Sequence, residues 1–281
     1  NQGSVTPPAG FTYYMGITSA AAYTPGASET FEVAQNIEGY NIADFAWGTA
    51  SAKTITLSFW VRSSLTGTFG GCFQNENNTR SYPFSYTISS ANTWEQKSVT
   101  VTGCTDGTWN SDNNGGTKLR FNLGDGSNLL NTAGSWYSGD YRGVTGNVNV
   151  VGTSGATWQI TGVQVEKGST ATSFDWRPYG TEFYLCQRYY QTVGAYNGLG
   201  SYYSSSQIQG AFAFPVPMRA APTIGATGII NFTDSGANYT QSSSGLAGSY
   251  STTTDCYLYV GNLSGITAYR PYWYESYNSS N

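Results

Sequence analysis

Sixteen carboxylates, twelve basic side chains and four cysteines are the reactive inventory of this 281-residue chain; histidine is absent. Without imidazole there is no Ser-His-Asp or Cys-His nucleophile, and no His-ligated zinc, iron or copper. A carboxylate pair is what remains for acid–base work, with Lys or Tyr as lesser options. Asp106 with Asp112, or Asp125 with Asp140, would have to stand about 5 or 6.5–9.5 Å apart to cleave a glycoside. Nothing in the sequence brings either pair together, so the chain reads as no enzyme. Asp106, Asp112 and Asn113, with Asn114, offer hard oxygens in one loop, a candidate site for a structural calcium ion. Their spacing is not that of an EF-hand, and such clusters also make ordinary turns. Cys72, Cys104, Cys186 and Cys256 show no C-x-x-C spacing. Cys72 and Cys104 can pair if their strands are neighbours; the plainer alternative is four buried free thiols.

Binding chemistry is better supplied. Aromatic residues make up 16% of the chain and charged residues only 10%, which gives a neutral, hydrogen-bonding surface suited to sugars, protein surfaces or self-assembly. Two long loops, 103–116 and 124–147, carry Trp109, Trp136, Tyr137, Tyr141 and Arg142 among small polar residues. Flat rings stack on sugars, and Arg, Asn and Asp bond their hydroxyls, so these five are the candidate ligand-binding residues. Loop tryptophans can also simply plug the open end of a β-sandwich. Trp60, Trp94 and Trp158 sit on expected strands and read as packing residues, with an interface role open for the outward face of Trp60. A net charge of −4 with no basic cluster argues against a nucleic-acid partner. No apolar run reaches about 18 residues, so no membrane insertion is expected.

The elements that must position these residues are strands. Helix formers are scarce while Tyr, Thr, Val, Phe and Trp are plentiful. The clearest period-2 alternation is 54–61, where Ile55, Leu57, Phe59 and Val61 share one face. Strands are also expected at 11–18, 29–36, 67–74, 82–88, 93–102 and 117–123. Another is expected at 156–166, with a bulge at Gly162 where the alternation changes phase. Eight or nine short strands joined by Gly, Asn and Ser turns predict an all-β domain over 11–177, a two-sheet sandwich or jelly roll. Residues 1–10 read as a linker or partial N-terminus, which leaves open whether Asn1 is the native start. Residues 178–191 read as a hinge or short helix, 182–191, capped by Thr181. Cys186, Tyr189 and Tyr190 would share a side of it that needs burial. Residues 192–281 read as a smaller C-terminal β domain with strands at 207–214, 223–233, 237–242, 255–260 and 269–277.

A series of segments then resembles one family. In order these are Gln35 to Gly39, the strand Ile55 to Val61, Thr93-Trp94-Glu95, Ile160 to Ser169 and Ala171 to Phe174. Next come Arg177-Pro178-Tyr179-Gly180-Thr181-Glu182, Leu185 to Tyr190, and Phe214 to Thr223. Together, over about residues 31–230, they are similar to distal tail fibre and tail-associated proteins of tailed bacteriophages, whose domain looks like the jelly roll of carbohydrate-binding modules. The resemblance implies a virion component at the host-facing end of a fibre. It would be assembled in the host cytoplasm, act outside the cell, form a homotrimer beside other virion tail proteins, and bind host cell-surface glycans without catalysis. The alternative is a structural fibre or filament subunit whose aromatic surface serves self-assembly with no ligand.

Overall fold

A computed structural model describes residues 5–192, 198–202, 204, 206–225, 229–233, 238–242, 246–261 and 271–277. The chain divides into two compact units, Asn1–Asp175 and Trp176–Asn281, against an expected boundary at 177.

The first unit is a jelly-roll sandwich. Its strands are β1 (Met15–Thr18), β2 (Thr30–Glu38), β3 (Ile55–Ser63), β4 (Gly67–Asn75), β5 (Arg80–Ile88), β6 (Glu95–Val101), β7 (Gly115–Asp125), β8 (Leu130–Asn131), β9 (Tyr137–Ser138), β10 (Gly143–Val144) and β11 (Thr157–Lys167). One sheet runs β1-β11-β3-β6 and the other β2-β7-β4-β5-β9. Alternation puts Ile55, Leu57, Phe59 and Val61 of β3 in the interior, all at or below 1% exposure. Trp158 and Ile160 of β11 join them, facing Phe69 and Phe73 of β4, Phe84 and Tyr86 of β5, and Leu119 and Phe121 of β7 in a single core. The expected bulge is present: β11 slips against β3 between Thr161 and Gln164. Gly162 takes φ +59° there, and the Phe11 ring lies where a Cβ would be, so glycine supplies both the conformation and the space. A second close approach shapes the site. A Cβ on Gly70 of β4 would stand 2.7 Å from the Val144 side chain, which lets the 124–150 segment lie flat on the outer face of the five-stranded sheet.

The second unit is an antiparallel seven-stranded sheet preceded by one helix. Its elements are α1 (Tyr179–Gln187), β12 (Gly198–Tyr202), β13 (Ile208–Ala213), β14 (Ile229–Thr233), β15 (Asn238–Ser242), β16 (Leu246–Ser251), β17 (Asp255–Val260) and β18 (Pro271–Tyr277). The strand order is β15-β14-β18-β12-β13-β17-β16. The helix differs from the expected 182–191. It starts at Pro178, whose extended backbone leads into the first turn and whose carbonyl accepts from the Thr181 and Glu182 N–H groups. Thr181 therefore lies inside the helix rather than capping it. None of its residues is buried. Cys186, Tyr189 and Tyr190, expected to share a buried side, are exposed, the two tyrosines past the helix end.

All four thiols are free, and Cys186 is not buried. Cys72 and Cys104 do not pair because β4, which carries Cys72, and β6, which leads to Cys104, belong to different sheets.

Candidate functional site

Strand β9 sorts two neighbouring candidates to opposite faces. It pairs with the edge of β5, placing Tyr137 opposite Ser81 on the outer face. Trp136, one residue earlier, turns inward, 5.2 Å from both the Tyr82 and Trp47 rings. Trp109 lies 4.8 Å from Trp47 and 5.4 Å from Trp136. The three indoles thus close one end of the sandwich. Trp109 donates its N–H to the Asp106 carbonyl at 3.0 Å, and Trp136 donates to the Thr102 carbonyl at 2.7 Å. Both rings are half-buried against the core.

Tyr137, Tyr141 and Arg142 gather elsewhere, on the outer face of the five-stranded sheet. The two tyrosine rings are 5.8 Å apart, edge to face. Arg142 grips Asp140 with two bonds, Nε to Oδ1 at 3.0 Å and Nη2 to Oδ2 at 2.9 Å. Below them, Gln74 donates to Asp140 at 2.7 Å, to Ser81 at 3.0 Å and to the Tyr141 carbonyl at 3.1 Å. Arg120 is bonded to Glu32, and Arg142 Nη1 lies 3.8 Å from the same Glu32 oxygen. The result is a continuous polar seam, Arg120–Glu32–Arg142–Asp140–Gln74–Ser81. Glu32 Oε2, Gln74 Oε1 and Arg120 Nε are buried in it without a hydrogen-bond partner.

Sequence reasoning missed Glu32, Gln74 and Arg120. The signal was present: Arg120 stands on the solvent-facing register of an alternating strand whose other face is Leu119, Phe121 and Leu123. What was not readable was that the 124–150 segment would cover that face.

The electrostatics follow from this burial. Burial would raise the Asp140 carboxyl, but the bonds from Arg142 and Gln74 and the nearby guanidinium charges hold it below the ordinary range. Burial lowers Arg120. The bond to Asp140 raises Arg142. Asp125 is raised by burial, only partly offset by bonds from Thr30, Phe31 and Asn122. Burial, with the charges of Asp125 and Asp140 next, pushes the Cys72 thiol well up, so it is no nucleophile.

A depressed carboxylate contributes stability above its unfolded value of about 3.9, and that contribution is lost as pH falls through the folded value. Asp140→Asn is therefore expected to lower stability by about 1 kcal/mol at pH 7, the effect being reduced by partial exposure. Urea midpoints of variant and wild type should converge as the pH falls below about 3.9.

The proposed calcium ligands are placed differently from one another. Asp106 is held by Arg80 through two bonds, 2.7 and 2.6 Å. Asp112 closes its own turn, accepting from the Asn114 N–H and amide at 2.9 Å each. Asn113 lies within that turn, between Asp112 and Asn114. Among the described residues, no three or more Asp, Glu, Cys or His side chains are grouped to hold a metal. Of the strand tryptophans, Trp158 is fully buried and donates to the Tyr86 hydroxyl at 3.1 Å. Trp94 packs on Tyr14 at 5.8 Å and donates to the Thr6 carbonyl at 2.9 Å. Trp60 is half-buried on the outer face of its sheet.

No family model matches the chain, and no curated protein matches it. Among solved structures, it is similar to a chain described as "CBM4 structure and function", over 55% of this chain and 71% of that one, with 15% identity and a TM-score of 0.31.

Proposed function

We propose that this protein is a non-catalytic attachment protein of a phage tail fibre that recognises host surface glycans through the outer-face site of its jelly roll. The observation that carries the reading is the Tyr137–Tyr141 ring pair standing beside the Asp140–Arg142 pair. Rings stack on the apolar faces of a sugar, while a carboxylate and a guanidinium bond adjacent hydroxyls. The carboxylates support a binding role over catalysis: Asp140 and Asp125 are each engaged by several donors within the chain. Weak single contacts would be raised by multivalency if three chains act together.

A structural fibre subunit is the second reading. It is favoured by α1, where Tyr179, Phe183, Tyr184 and Leu185 are exposed. Four exposed apolar side chains on one short helix mark an interaction surface, and two further copies of the chain in a homotrimer would bury them.

The test is a glycan array with the whole protein. Tyr141→Ala and Arg142→Ala are each expected to lose at least about tenfold in signal, equivalent to about 1.4 kcal/mol, with unchanged circular dichroism. Unchanged binding by both variants would remove the site assignment.

A further inference from the structure

The opposite face of the sandwich carries a second feature that the site above does not use. On β3 the residues that alternate with the core, Ser58 and Trp60, point outward, and they stand opposite Ser98 and Gln96 of β6. The chain then returns over this sheet after β11. The return is pinned: Glu166 accepts from the Thr172 N–H at 2.7 Å and from its hydroxyl at 2.6 Å, and Gln164 accepts from the Asp175 N–H at 2.8 Å. Between the pinned return and the sheet lies a groove of about 310 Å³, lined by Ser58, Gln96, Lys97, Ser98, Ala171 and Thr172.

Three observations give the groove a ligand chemistry. Ser58, only 5% exposed, lines the groove and places a hydroxyl in its wall. Gln96 and Ser98, both exposed, add an amide and a second hydroxyl, so the walls offer donors and acceptors together. Lys97, the only ionic group in the lining, is neutralised by Glu95 at 2.6 Å, which disfavours an anion. The volume is at the small end of ligand pockets, about 300–1,000 Å³, and the half-buried Trp60 ring lies one cross-strand position away.

We infer that this groove is a second binding site, taking one ring of a neutral, hydroxyl-rich sugar chain on the face opposite Tyr137, Tyr141 and Arg142. The inference rests on the glycan reading above. Two sites on opposite faces would let one unit engage two chains of a dense polysaccharide.

The test is amide-resonance mapping of the whole protein titrated with neutral hexasaccharides from glucan, xylan and mannan. At least one is expected to shift the amides of Ser58, Gln96, Ser98 and Thr172. Ser98→Trp, which fills the groove from an exposed position, should abolish those shifts, and Gln96→Ala should weaken them. Tyr141→Ala should leave them in place. Shifts confined to residues 137–142 would overturn the groove and leave the outer-face site standing. Shifts in neither region would overturn both readings. Groove shifts that persist in Ser98→Trp would overturn the groove alone.

Discussion

Glu32→Ala is expected to destabilise the sandwich by about 3 kcal/mol, because it leaves the Arg120 guanidinium in a buried seam without its carboxylate. Only 10% of the Arg120 side chain and 14% of that of Glu32 is exposed. Arg120 already carries an unpartnered Nε, so the loss falls on a group with little solvent to turn to. Replacing both members, Glu32→Leu with Arg120→Met, should recover most of the stability, since a buried ion pair can be exchanged for apolar packing at little cost. Six of the eight tryptophans, Trp47, Trp60, Trp94, Trp109, Trp136 and Trp158, lie in the first unit, so the fluorescence change in urea is dominated by this unit. A single variant as stable as wild type, or a double variant no better than the single, would contradict the assignment of the seam as a coupled network.

Trp47→Ala should cost about as much or more, roughly 3–5 kcal/mol. Its ring is the hub of the closed end, in contact with Trp109, Trp136, Phe45 and Phe73. Its N–H also donates to the Lys53 carbonyl at 2.8 Å, an acceptor left unpaired by the substitution. Trp109→Ala and Trp136→Ala should cost less, as each ring is half solvent-facing. The coupled indole signal in near-ultraviolet circular dichroism should weaken in all three variants, each of which leaves one indole pair in contact. If Trp109→Ala or Trp136→Ala were neutral for stability, the packing role assigned to these loop rings would be wrong.

These two results separate what could and could not be read from residue order. Alternation in 54–61 and 117–123 located core strands because each has one face in the interior and one outside it, and a pleat makes that a two-residue pattern. The bulge at Gly162 was legible for the same reason: a phase change with glycine at the step has few other solutions. Strands β12 and β16 were not anticipated, since GLGSY and LAGSYS present mostly small residues with little apolar alternation. The helix start was misplaced by reading a capping side chain at Thr181 where Pro178 already set the entry.

The site was half legible. Loop position and residue type selected Tyr137, Tyr141 and Arg142, but they could not separate them from Trp109 and Trp136. That separation comes from β9, a two-residue strand whose alternation sends Trp136 inward and Tyr137 outward. Glu32, Gln74 and Arg120 were hidden because their charged partners are 66 to 88 residues away in sequence. Only the fold brings a β2 carboxylate, a β7 guanidinium and a loop aspartate into one seam.

A sandwich that holds a glycan passively, as proposed above, binds the polymer without cutting it. Incubating the whole protein with the polysaccharide that gives the strongest array signal, while following both co-sedimentation and new reducing ends, tests this most directly. The protein is expected to sediment with the polymer, the Tyr141→Ala, Arg142→Ala double variant to stay in solution, and no reducing ends to appear. Chain cleavage, or sedimentation equal in wild type and double variant, would contradict the proposal.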